Sequence, residues 1–382
     1  MQLWTDEFLD QKRQIQDPLA DEVIEQVIAE NGEDAAWELF NLLISNVDLP
    51  LEKLPAACFT LIEKTNSLPA WVDYNLVKRA DDMFMDHGPK FLLILYFKSL
   101  PLLYACKNGA QVLFRTGRLV HDPQKITIFT RRIAETAQFL IDVLSPDALL
   151  PGRKGIAMIQ KIRLIHASIR RFMPKENWEN QQLGKPINQE DMAITLMTFS
   201  VALLEGLHQF GINESDEIEH AFFHTWMGIG SLLGIDDDLL PTSIEHGQFL
   251  LQKILSRQAA PSAEGEQLAK ALVEFSESSI PGRIVDDSPE LFIRYLAGEK
   301  IANILGVKER IGCLNYLVPS FVFALFRKEE KLENKSEKWK LLIDSISLKL
   351  IRAMLQYFDQ YKQTRFRVPK LMQEKWGMKE AD

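Results

Sequence analysis

The chain has little cysteine, no excess of basic charge and no long unbroken apolar run, and each shortage removes a class of protein. Three cysteines, Cys58, Cys106 and Cys313, lie far apart in 382 residues. They form neither a C-x-x-C metal pair nor a C-x-x-C-H haem attachment, and their odd number argues against a disulfide framework. A formal net charge of −9 is the wrong sign for a phosphate backbone, so no nucleic-acid partner is expected. Only YKQTRFRVPKLMQEKW (361–376) is locally basic, and it reads as a solvated terminal helix. The longest apolar stretch, FLLILYFKSLPLLYAC (91–106), is interrupted by Lys98 and Pro101. It is shorter than the roughly 20 apolar residues of a membrane span, so it reads as a buried helix pair and not as a transmembrane segment. The start, MQLWTDEFLDQKRQ, lacks a basic region followed by an apolar run. The expectation is a soluble, cytoplasmic protein.

Alternating β-branched runs bounded by tight turns are nearly absent, so strands are not needed. Neither a G-x-x-x-x-G-K-[ST] phosphate loop nor a G-x-S-x-G elbow occurs. GIGSLLG (228–234) follows no strand and reads as helix-packing glycines. What is present is helical periodicity almost throughout, for instance over 19–31, 34–46, 126–145, 155–173, 190–210, 215–234, 264–278, 288–304 and 339–362. The fold class is all-α, a single large helical domain. SRQAAPSAEGEQ (256–267) reads as a long loop within it.

Polar groups on apolar helices carry the functional question. At 100° per residue, Ile126, Ile133, Ala137, Leu140 and Leu144 form one face of the helix over 126–144. Thr127, Arg131, Ala134, Gln138 and Asp142 form a face left for water. The remaining arc holds Phe129, Phe139 and Val143, with Arg132 and Thr136 among them and Glu135 at the edge. Arg131 is therefore expected at the surface and Arg132 inside. A buried guanidinium needs an anion, either a carboxylate, with Glu135 one turn away, or a bound anionic ligand. On KIRLIHASIRR (161–171), His166 flanks a core stripe of Met158, Ile162, Ile165, Ile169 and Phe172, with Arg163 and Arg170 further round. It is either a hydrogen-bonded core residue or the axial ligand of a b-type haem. In the second case the arginines would neutralise the haem propionates. Glu-x-x-His occurs twice, at Glu205/His208 and Glu217/His220, and His224 shares the second helix face. That is a weak match to di-iron carboxylate bundles.

Several stretches together resemble the catalytic domain shared by rubber oxygenase (latex-clearing protein) and the MpaB-type oxygenases. They are DPLADEV, VLFRTGRL, RRIAETAQFLIDV, KIRLIHASIRR, LGKPINQEDMAITLMTFS and EIEHAFFHTWMGIGSLLGIDDDLLP, in that order. The resemblance implies an N-terminal segment over 1–14, a helical haem-binding domain over 15–305 and a C-terminal helical extension over 306–382 packed on it. It also implies non-covalent haem b with His166 as proximal iron ligand. Arg132 and Thr136 would line the haem pocket. With haem there, Arg132, Arg163 and Arg170 are the candidates for propionate contacts, and Glu135 is the candidate acid or base. Polymer-cleaving members carry a lysine where this chain has Glu135, which directs the expectation away from polyisoprene. The activity implied is addition of O₂ to an apolar, isoprenoid- or lipid-like alkene with cleavage or oxygenation of the double bond. A homodimer is compatible with the sequence. The rival readings are a haem-binding sensor or carrier without turnover, and a di-iron oxidase using Glu205, His208, Glu217 and His220.

Overall fold

The computed structural model describes residues 4–45, 48–116, 128–173, 178, 183–279, 289–309, 333–359 and 366–378, and no β-strand occurs among them. Cys313, Ile126, Thr127 and the side chain of Phe129 lie outside what is described, as does the end of VLFRTGRL. The all-α expectation holds. Helix α1 (Asp6–Lys12) precedes α2 (Pro18–Asn31), which starts where the Asp17 side chain accepts the Ala20 N–H and Pro18 takes the first position. Gly32 alone joins α2 to α3 (Glu33–Ser45), at a φ of +91° that disfavours any side chain.

After α4 (Cys58–Lys64), α5 (Tyr74–Ile94) runs into a buried π-helical segment, Leu95–Ser99, and then α6 (Leu100–Ala105). The interrupted apolar run is thus one continuous helical path and not a pair of helices. Pro101 sits in the first turn of α6, where a missing N–H is no loss. Buried Lys98 donates to Gln209 Oε1 at 2.8 Å and pairs with Glu205 at 3.3 Å.

Next come α7 (Lys107–Thr116), α8 (Ile128–Val143) and α9 (Lys154–Phe172). The helix expected over 190–210 is divided at Ser200 into α10 (Gln189–Phe199) and α11 (Val201–Gln209). Helices α12 (Asp216–Leu232), α13 (Ile244–Gln258) and α14 (Ala263–Ser279) follow. The long loop expected over 256–267 shrinks to residues 259–262, because both neighbouring helices extend into it. The chain ends with α15 (Pro289–Ala297), α16 (Glu299–Ile304), α17 (Glu333–Asp359) and α18 (Lys370–Lys375).

The centre is α5 against α12, where Phe91 stacks on Phe222 at 4.8 Å with ring planes 6° apart. The glycines of GIGSLLG do permit close packing: a Cβ on Gly230 would fall 2.4 Å from Leu196. A second, smaller core joins α2, α3 and α4 to α9 through Val23, Ile24, Leu39, Leu61 and Leu164. The terminal helix is not solvated all round as its basic sequence suggested. Met372 and Trp376 are buried, and Trp376 Nε1 donates to the Met85 carbonyl of α5 at 2.9 Å.

Candidate functional site

Helices α3, α6, α7, α8, α9 and α10 line a partly open, largely apolar cavity of about 390 Å³. Leu100 and Leu103 of α6, Met158, Ile162 and Ile165 of α9, and Phe139 and Phe199 form much of its wall. His166, Arg132, Thr136 and Glu135 all face this one space, so the structure brings together residues from two helices that the sequence singled out separately.

His166 makes no hydrogen bond among the described residues. Burial, reinforced by the Arg170 charge, pushes its imidazole down to about 3. The ring is therefore neutral at physiological pH, with a lone pair free to bind. This is not the hydrogen-bonded core histidine that the sequence also allowed.

Arg132 donates through Nη2 to Thr116 Oγ1 at 2.7 Å and has no carboxylate partner among the described residues. Burial pulls its pKa down from the usual arginine value. Glu135 instead accepts from Arg131 Nε at 2.8 Å, one turn along the exposed edge of α8. Arg131 was expected at the surface, yet its side chain is only 11% exposed and it also donates to the Ile44 carbonyl at 2.6 Å. The described residues of the face assigned to water are covered. Gln138 accepts the Arg367 N–H at 2.7 Å, and buried Asp142 pairs with Lys154 at 2.8 Å. Helix α8 is covered by α9 and α14 and, at Arg131 and Gln138, by α3 and the segment before α18, which a single-helix projection does not contain. Thr136 Oγ1 donates back to the Arg132 carbonyl at 2.7 Å.

The two arginines flanking His166 point elsewhere. Arg163 grips Asp17 with Nε at 2.5 Å and Nη2 at 2.7 Å, and Nη1 donates to the Leu232 carbonyl at 3.0 Å. With all three nitrogens engaged and no surface on the cavity, it is not placed as a propionate contact. Gly234, at a φ of +85°, lets the chain pass this pair; a Cβ there would lie 2.7 Å from Arg163 Nη2. Arg170 Nε pairs with Asp21 at 2.6 Å, while its Nη1 and Nη2 are buried with no partner.

The di-iron candidates are dispersed. His208 pairs with Glu219 at 2.5 Å, Glu205 with Lys98, and Glu217 with Arg79, and His224 Nε2 accepts the Asp73 N–H at 3.0 Å. Among the described residues no group of three His, Cys, Asp or Glu side chains could hold a metal ion.

The cavity also contains groups that sequence reasoning did not select. Lys161 is buried and its ammonium is pulled down by desolvation. Asp191 is pushed up to about 6 by burial, and is held by Arg13 at 3.3 Å and by Asn188 Nδ2 at 2.8 Å in a helix cap. Tyr104, buried on α6, is the third. The wall stripe of α9 beside Lys161 was visible as a periodicity, but nothing local marked Lys161 itself, or Tyr104 inside an apolar run.

The fold is all-helical around a partly open, largely apolar cavity, with polar groups of α8 and α9 on its wall. The chain belongs to the family described as ER-bound oxygenase mpaB/B'/rubber oxygenase, catalytic domain, which matches residues 96–313, and it is an oxygenase. Rubber oxygenase of Streptomyces sp. (strain K30) is 24% identical over 301 residues, covering 77% of this chain and 71% of that protein. The structure of latex clearing protein LCP in the closed state superposes with a TM-score of 0.72 at 20% identity, over 94% of this chain and 95% of that one. That likeness is one of fold. No helix among the described residues is long and apolar enough to cross a membrane.

Proposed function

We propose that this oxygenase uses non-covalent haem b to add O₂ to an apolar, isoprenoid- or lipid-like alkene, cleaving or oxygenating the double bond. The observation that carries this is His166, a neutral imidazole without a hydrogen-bond partner on the wall of an apolar cavity. The surrounding donors fit the group. Arg132 lines the cavity and has no carboxylate partner among the described residues; haem carries carboxylates for it to meet. Haem bound there would supply the activation of O₂.

The chain's own residues do the rest. His166 offers a nitrogen lone pair to the iron, and Arg132 provides counter-charge. The aliphatic walls hold the alkene and exclude water. Glu135, at the cavity edge and half-exposed, is the group able to take or return a proton at its carboxylate. Rubber oxygenase, by its name, acts on a polymer. The carboxylate of Glu135, where polymer-cleaving members carry a lysine, favours a small alkene here.

The test is to load the purified protein with hemin and record its absorption spectrum. A Soret band and stoichiometric haem are expected, released intact by acid–organic extraction. His166→Ala should lose the haem while keeping its helical circular dichroism, and His208→Ala and His220→Ala should keep it. Full haem occupancy with an unchanged spectrum in His166→Ala would overturn the ligand assignment.

A further inference from the structure

Tyr104 is a buried polar group that the proposed chemistry leaves without a task. It is 5% exposed, lines the cavity, and its phenolic O–H makes no hydrogen bond among the described residues. Buried Tyr96, on the same helical path, shows the ordinary arrangement: its O–H donates to the Leu272 carbonyl at 2.7 Å. The Tyr104 hydroxyl opens on the cavity rather than on packed protein, so it is a donor held in waiting. Leu100, Leu103 and Tyr104, in α6 directly after the π-helical segment, all line the cavity. Tyr104 and Arg132 each influence the other's ionisation, which puts phenol and guanidinium in electrostatic reach. Burial pushes the phenol up, so it keeps its proton.

Two donors thus face one apolar space, and neither is matched by a carboxylate among the described residues. We infer that Tyr104 is a ligand-binding residue of this cavity, donating its O–H to a small anion or polarised dioxygen taken up at the haem beside Arg132. The inference rests on the haem reading above. It assigns to Tyr104 the stabilisation of negative charge on the small ligand, and not the binding of the haem itself.

Tyr104→Phe removes only the O–H, and its test uses the haem-loaded ferric protein titrated with fluoride, a small anion that accepts strong hydrogen bonds. The variant should hold the same amount of haem as the wild type, yet bind fluoride about 10- to 100-fold more weakly, the scale of one lost bond to a charged acceptor. Its affinity for imidazole, a neutral ligand, should be unchanged. The apo-protein should melt at the wild-type temperature or slightly above it, since no partner is orphaned. Equal fluoride affinity in the two proteins overturns the assignment while leaving the haem reading intact. A melting temperature several degrees lower overturns it too, by showing a structural bond. Failure of the wild type to take up haem overturns both readings together.

Discussion

Arg163 and Arg170 lie seven residues apart on α9, and their counter-ions Asp17 and Asp21 lie four apart on α2. The two pairs clamp the helix that carries His166 and set which way the imidazole faces. Asp17 does this while also capping α2. A different buried carboxylate sets a pH dependence. Asp81 is 4% exposed, accepts the Asp147 N–H at 3.1 Å through Oδ2 and leaves Oδ1 unpartnered. Burial pushes it up to about 8 from the ordinary 3.8. The folded state therefore binds this proton more tightly than the unfolded chain does. Its contribution is fully present below about pH 4 and is lost as pH rises through about 8. Asp81→Asn keeps an acceptor for Asp147 and cannot ionise. Thermal melts across that range should show the wild type losing stability with rising pH more steeply than the variant. Parallel curves would mean that Asp81 is not buried as a neutral acid.

Single helices here take their role from what is laid across them. The C-terminal α18 docks on α5 through Trp376, which sits edge-on to Phe84 with ring centroids 6.0 Å apart. The approach is possible because position 88 is glycine: a Cβ there would lie 2.1 Å from the indole ring. Trp376→Ala should destabilise the protein by about 3–5 kcal/mol, the usual scale for emptying a large aromatic site. Gly88→Ala should also destabilise, through a clash. The double variant should be less unstable than the sum of the two, because the methyl enters the space the indole left. Denaturant titrations of the three proteins decide the point, and strict additivity would disprove the docking.

At the scale of the molecule, helices from distant parts of the chain line a partly open apolar cavity and leave Glu135 at its edge, bonded to Arg131 and not to Arg132. An i, i+4 ion pair at a half-exposed carboxylate is worth about 0.3–0.5 kcal/mol. Glu135→Gln should therefore leave melting temperature and haem content nearly unaltered. If the carboxylate handles a proton in turnover, O₂ consumption per haem with a prenyl alkene should fall roughly 10²–10⁴-fold. Unchanged consumption per haem would remove Glu135 from the chemistry.

The all-helical architecture was legible in the sequence, because helical burial writes a 3.6-residue period into the chain. So were the inward placement of Arg132 and the exceptional position of His166, since each breaks the pattern of its own helix. The motifs of DPLADEV and KIRLIHASIRR were legible as separate signals. Their joining, with Asp17 on Arg163 and Asp21 on Arg170, lies at separations of roughly 150 residues and leaves no local trace. The same limit explains the misplaced Arg131, Gln138 and Asp142: a helical wheel records which residues share a face, not what covers it. Tyr104 shows it most plainly. In sequence it is one aromatic in an apolar run, and only the packing of α6 against α7, α10 and α14 places it on the cavity that Arg132 also lines. Periodicity is a property of one helix, whereas a site is made where several helices meet.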